Sequence, residues 1–166
     1  MIRAIVTFGG VGLLRPAPGT WGSAVATLVA LGLAMAGLAP LVPLGAVLAA
    51  LLGLWAVPRA TSGATDPDPA EIVIDEVAGQ WLALSFTLLP LWWLGVDPLA
   101  AWPGVVVPFV LFRLFDIWKP GIIGRADRRS DAAGVMYDDL WAGLFAGVAS
   151  VVLAGLSHGL VMGWPG

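Results

Sequence analysis

The sequence predicts an all-α, polytopic membrane helix bundle with about five spanning helices, and three observations predict it. Of its 166 residues, 59% are hydrophobic and only 11% are charged, against roughly 25% charged in an ordinary soluble domain. Long stretches carry no Asp, Glu, Lys or Arg: Pro16–Pro58, Val77–Val96, Pro98–Phe112 and Leu140–Gly166. A spanning helix takes about 20 mostly apolar residues, so the first stretch holds two helices and the others one each. Third, the charges fall on one side of the bilayer once the crossings are drawn.

In order, the spans are expected at about Trp21–Ala39, Leu41–Val57, Val77–Leu94, Leu99–Phe115 and Leu140–Met162. Each is a helix because a lone segment in hydrocarbon must satisfy its own backbone. Frequent Gly and Ala let such helices approach closely. Pro40 and Pro43 separate the first pair, and Gly95-Val96-Asp97-Pro98 turns the second. Thr61–Ala70, with Gly63, Pro67 and Pro69, reads as a loop. Gly121–Ala126 leaves room for one extra short helix at the surface. The length suits one domain, residues 1–166. No cleavable signal is expected, since Arg3 is followed by a Gly-rich stretch rather than a short apolar region with a cleavage site.

With five crossings, one side receives the N-terminus, residues 58–76 and residues 116–139. All eight basic residues, counting Arg113 at its helix end, fall there, and so do ten of the eleven acids; Asp97 is the exception. Lys and Arg concentrate in cytoplasmic loops, so that side is expected in the cytoplasm and the chain in the inner membrane of a bacterial cell. The tryptophans agree with such a belt: Trp21, Trp55, Trp81, Trp118 and Trp141 near one interface, Trp92, Trp93, Trp102 and Trp164 near the other.

Cysteine is absent and His158 is the single histidine. Thiolate metal sites, cysteine nucleophiles and paired-histidine mechanisms are therefore closed. The remaining chemistry lies in charge clusters at the expected cytoplasmic face. Arg15-Pro16-Ala17-Pro18-Gly19-Thr20-Trp21-Gly22-Ser23 opens the first span. Free N–H groups at a helix start bind anions, although Thr20 or Ser23 also suits a plain cap. Asp75 and Glu76 stand where the third span enters the membrane, and they also suit the helix dipole. Arg113, Asp116 and Lys119 are spaced three apart and would form one charged stripe on a helix; an interhelical ion pair with a snorkelling lysine is the plainer alternative. Asp138 and Asp139 open the last span. Asp75-x-x-Ala78-Gly79 and Asp139-x-x-Ala142-Gly143 share one spacing, which lets two helices pack closely and bring their carboxylates together.

Five carboxylates, Asp75, Glu76, Asp116, Asp138 and Asp139, suit a hard cation such as Mg²⁺. Arg15, Arg113, Lys119 and the residues around Arg125 suit a phosphate. A metal beside cations at the headgroup layer is what hydrolysis of a lipid phosphate requires.

In this order the clusters resemble the phosphatidylglycerophosphatase A family. The matching segments are Pro18-Gly19-Thr20-x-Gly22-Ser23, Asp75-Glu76-x-x-Gly79, Phe112-Arg113-x-x-Asp116-x-x-Lys119-Pro120 and Asp138-Asp139-x-x-Ala142-Gly143. They span about residues 13 to 147. The resemblance implies an all-α fold and a Mg²⁺-dependent phosphatase of phospholipid biosynthesis. Its substrate would be phosphatidylglycerophosphate and its product phosphatidylglycerol. It further implies catalytic roles for Asp75, Glu76, Asp116 and Asp139, and substrate contacts from Arg15, Thr20, Ser23, Arg113 and Lys119. The short N-terminus and the Pro-rich Thr61–Ala70 depart from the family without touching those positions.

Rival classes lack what they need. Asp66-Pro67-Asp68 has the letters of an aspartyl-phosphate motif but follows no buried strand. The long aspartate array of the CDP-alcohol transferases is missing. A small transporter or scaffold is the alternative function, but a transporter places ionisable groups near the midplane, whereas these crowd one end. No nucleic-acid partner is expected.

Overall fold

The computed structural model describes residues 1–63, 66, 69–128 and 132–162. Among them are helices and no strand. The helices are α1 (Ile2–Val6), α2 (Pro18–Met35), α3 (Leu41–Ala60), α4 (Ile74–Trp93), α5 (Pro103–Trp118), α6 (Ile122–Asp127) and α7 (Ala132–Met162), with a 3₁₀ turn at Val11–Leu13. The short surface helix expected at Gly121–Ala126 is α6. Asp68 and Trp164 lie outside the described residues.

Three helical segments are long and apolar enough to cross a membrane: Pro18–Met35, Leu41–Ala60 and Gly134–Ser157. The expected number was about five. α5 has 16 residues, about 24 Å at 1.5 Å per residue, short of the hydrocarbon thickness of about 30 Å. α4 has 20 residues but opens with Asp75 and Glu76 and carries Gln80.

Much of the outer surface is aliphatic, and several polar residues are buried among the apolar core. Leu28, Leu44, Leu48, Leu51, Val151 and Val152 are exposed, while Ser23, Asp75, Gln80, Asp138, Asp139 and Ser150 are buried. Exposed aliphatic surface on this scale is costly in water and neutral in lipid. The buried hydroxyls are satisfied by their own helices: Ser23 donates to Gly19 O, Ser85 to Trp81 O and Ser150 to Ala146 O.

α4 is the central helix and touches α2, α3, α5 and α7. Trp81 Nε1 ties it to α2 through Ala26 O at 2.7 Å. Small residues set its approach to α7. A Cβ on Gly79 would lie 2.5 Å from Asp139 O, and one on Gly143 would strike the backbone of Gly79. The shared Asp-x-x-Ala-Gly spacing thus acts as read: the two glycines face each other, and the aspartates above them meet.

Several local expectations change. α7 starts at Ala132, so Asp138 and Asp139 sit about two turns inside the helix instead of opening it. Pro43 does not break α3; it lies in the first turn, where a missing N–H costs nothing. Lys119 is not on the α5 stripe. It is the left-handed cap residue, φ 50°, because Pro120 disfavours helical geometry in the residue before it. The N-terminal segment, which carried no expected element, forms α1 and the 3₁₀ turn. Val6 is buried there and its carbonyl accepts from Val73 N at 2.8 Å.

Candidate functional site

At one end of the bundle, the starts of α2 and α4, the end of α5 and the early turns of α7 enclose a cleft of about 150 Å³. Asp75, Glu76, Arg113, Asp116, Lys119, Asp138 and Asp139 line it, with Pro18, Gly19, Ala70 and Ile72 completing the wall. Four helices therefore converge the charged residues of three separate sequence clusters on one space.

Glu76 leaves the first turn of α4 and reaches the start of α2. A Cβ at Gly19 would meet Glu76 Oε1, so the glycine lets Glu76 come this close to α2. The anion facing the α2 start is thus a carboxylate of the chain itself, a favourable place for negative charge. Arg113, on α5, lies 2.6 Å from Asp116 Oδ2 and 3.9 Å from Glu76 Oε1. Its Nη1 also donates to Ser23 Oγ at 3.4 Å. Lys119 bridges α6 and α7: its ammonium pairs with Asp127, and with Asp138 at 2.7 Å. Burial alone would lower the Lys119 pKa, but the hydrogen bonds its ammonium donates to Asp127 and Asp138 outweigh it and raise the pKa above the ordinary lysine value.

The carboxylates fall into two overlapping triads, Asp75–Glu76–Asp139 and Asp116–Asp138–Asp139. Within each, one oxygen per residue lies within 4.8 Å of the others. Asp139 belongs to both and is only 2% exposed. No Lys or Arg reaches it within salt-bridge distance among the described residues. Five carboxylates against two cations leave an excess of three acids around the cleft. Burying such an excess is costly unless a cation or protons offset it. All the donors are oxygens, which suits a hard divalent ion. On charge and donor type, the residues fit a bound metal.

Of the residues singled out in the sequence, seven line the cleft. Ser23 is buried behind it and touches it through Arg113. Thr20 is half-buried and Arg15 exposed, and neither is in the lining; Arg125 is exposed on α6. Two residues were missed. Asp127 holds Lys119 but looks, in sequence, like an ordinary acid in a charged loop. Gln80, wholly buried in α4, could have been noticed as a lone amide in an apolar run, four residues after Glu76.

Fold and cleft together define a helical protein with three segments long and apolar enough to cross a membrane, and an acidic, arginine- and lysine-bearing site at one bundle end. Residues 4–154 match the family Phosphatidylglycerophosphatase A, and the chain belongs to that family and is a phosphatase of it. It is 32% identical over 138 residues to the phosphatidylglycerophosphatase A of Haemophilus influenzae, covering 82% of this chain and 78% of the relative. It is 35% identical over 99 residues to that of Escherichia coli, covering 59% and 48%. A Bacteroides thetaiotaomicron relative, 33% identical over 144 residues and covering 82% and 83%, carries the provisional name phosphatidylinositol-3-phosphatase. No solved structure gives a significant match.

Proposed function

We propose that this chain hydrolyses the terminal phosphate of phosphatidylglycerophosphate, giving phosphatidylglycerol and phosphate, with Mg²⁺ as its metal. The observation that carries the reading is the cleft itself: two carboxylate triads sharing Asp139, flanked by Arg113 and Lys119. Asp75, Glu76, Asp116, Asp138 and Asp139 would hold the metal. Bound there, Mg²⁺ supplies neutralisation of phosphate oxygens and acidification of a water.

The chain's own groups do the rest. Arg113 offers a planar fork to the terminal phosphate and Lys119 a point charge. Both are paired with carboxylates here, so the incoming phosphate exchanges for part of that pairing. The Ser23 hydroxyl steadies the guanidinium from behind. Water attacks phosphorus while a buried carboxylate takes its proton; the phosphorus–oxygen bond to glycerol breaks, and the proton passes from that carboxyl to the leaving oxygen. Arg15 and Thr20, at the rim, would meet the headgroup from outside. All five long helices, α2, α3, α4, α5 and α7, cross or enter the inner membrane of a bacterial cell. The site end, with the basic residues, faces the cytoplasm. The lipid tails stay among the helices while the phosphorylated glycerol reaches the cleft.

The test is phosphate release by the purified protein from micelles containing phosphatidylglycerophosphate, with Mg²⁺ and with chelator. Phosphatidylinositol 3-phosphate runs in parallel, because one relative carries that name. Mg²⁺-dependent release from the glycerophosphate lipid in preference to the inositol lipid is expected. Preference for the inositol lipid, or full turnover in chelator, would overturn the reading.

A further inference from the structure

The cleft does not account for Gln80. This residue is wholly buried in the middle of the bundle, and neither its amide nitrogen nor its amide oxygen has a hydrogen-bond partner. A buried amide without partners is disfavoured strongly enough that native structures rarely keep one. Two other buried atoms nearby share that condition: Glu76 Oε2 and Arg113 Nε.

Helix phase places these atoms together. Successive residues turn by about 100°, so Gln80 stands about 40° round from Glu76 and one turn deeper. Glu76 packs against Gly19 of α2 and lies beside Arg113 of α5. One turn below Gln80, Ala83 shares a buried cluster with Phe112 of α5, and Leu84 shares one with Ala30 of α2 and Val105 of α5. This phase sets Gln80 toward the seam where α2, α4 and α5 meet, one helical turn below Glu76. The unpartnered atoms are also chemically complementary. Gln80 Nε2 and Arg113 Nε are donors; Gln80 Oε1 and Glu76 Oε2 are acceptors.

We infer that Gln80 is a positioning residue: its amide donates to Glu76 Oε2 and accepts from Arg113 Nε, fixing both side chains from below when the cleft is loaded with a divalent cation. Glu76 then turns its other oxygen to the cation, and Arg113 keeps its terminal nitrogens for anions. The inference rests on the metal reading of the cleft. Groups that hold a ligand's far side set its orientation and basicity, and removing them weakens metal binding by about 10- to 100-fold.

Gln80→Met keeps the volume and removes both hydrogen-bonding groups. The full chain is purified in detergent, and thermal unfolding is followed against Mg²⁺ concentration without substrate. The half-saturating concentration is expected to rise about tenfold, while the cation-free unfolding temperature does not fall. In turnover, Gln80→Met should lose rate at low Mg²⁺ and recover most of it at saturating Mg²⁺, with the lipid KM little changed. A packing role would lower cation-free stability and show no such recovery. If Gln80→Met does not fold, Gln80→Glu tests the same contact, because it sets a second carboxylate against Glu76 and should also raise half-saturation. A half-saturating concentration equal to the parent's in the folded variant, or tighter binding in Gln80→Glu, overturns the inference alone. No response of the parent to Mg²⁺ overturns it together with the metal reading.

Discussion

Arg113 Nη1 lies 2.6 Å from Asp116 Oδ2, one turn further along the same helix. The pair is mostly shielded from water, which holds the guanidinium in one direction, and Arg113 lines the cleft. A lysine could keep the charge but not the fork. Arg113→Lys is therefore expected to reduce turnover by about 10- to 100-fold. Arg3→Lys, at an exposed pair with Glu71, should stay close to the parent. Steady-state phosphate release from both variants decides it, and equal rates would remove Arg113 from the phosphate site.

Asp75, Asp116 and Asp139 each add an oxygen to a triad. Changing any one to Asn keeps shape and removes charge, and should lower turnover by about a hundredfold or more. Asp97 caps Leu99 N at 2.9 Å outside the cleft, so Asp97→Asn should remain active. A folded, fully active Asn variant at one of the three would take that residue out of the site.

Gly143→Ala pits two effects against each other. Alanine favours the helix by about 1 kcal/mol over glycine. Its Cβ, however, would meet the Gly79 backbone, which has no flexible end to swing aside, and overpacking costs about 1–3 kcal/mol. The clash should win: a lower unfolding temperature, and weaker activity because Asp75 and Asp139 move apart. A more stable Gly143→Ala would mean α4 and α7 are less closely apposed than described.

Lys119 carries a raised pKa through Asp127 and Asp138. A raised folded-state value means its ion pairs stabilise fully below the unfolded value of about 10.4 and fade as pH climbs through the folded one. The stability gap between parent and Lys119→Met should thus persist at neutral pH and shrink in strong alkali. Thermal unfolding across pH checks this; a gap closing near neutrality would mean another group governs it.

Much of this arrangement was legible in the sequence, and the exceptions have physical causes. α2 and α3 show as apolar runs because no charge interrupts Pro16–Pro58, which holds nearly all of both. The start of α7 does not, because its first turns lie beyond the apolar run, where composition is indifferent to helix or loop. α1 is five residues long, too short for any periodicity, and is held by tertiary contact. In the site, the paired glycines announced the meeting of Asp75 and Asp139. Lys119 misled, because a three-residue spacing implies a helix face only while the helix continues, and Pro120 ends it. Asp127 was invisible because partnership across a turn leaves no pattern.

The link between Val6 and Val73 has a practical side. Val73 immediately precedes α4, and Gly12 leaves no room for a side chain against the Glu71 backbone. The leading residues thus brace the strap that delivers Asp75 and Glu76 to the cleft. A bulky fusion at that end would press on the enzyme's working parts through thirteen residues of scaffolding, whereas the apolar turn around Asp97 could carry the same cargo at a distance from the chemistry.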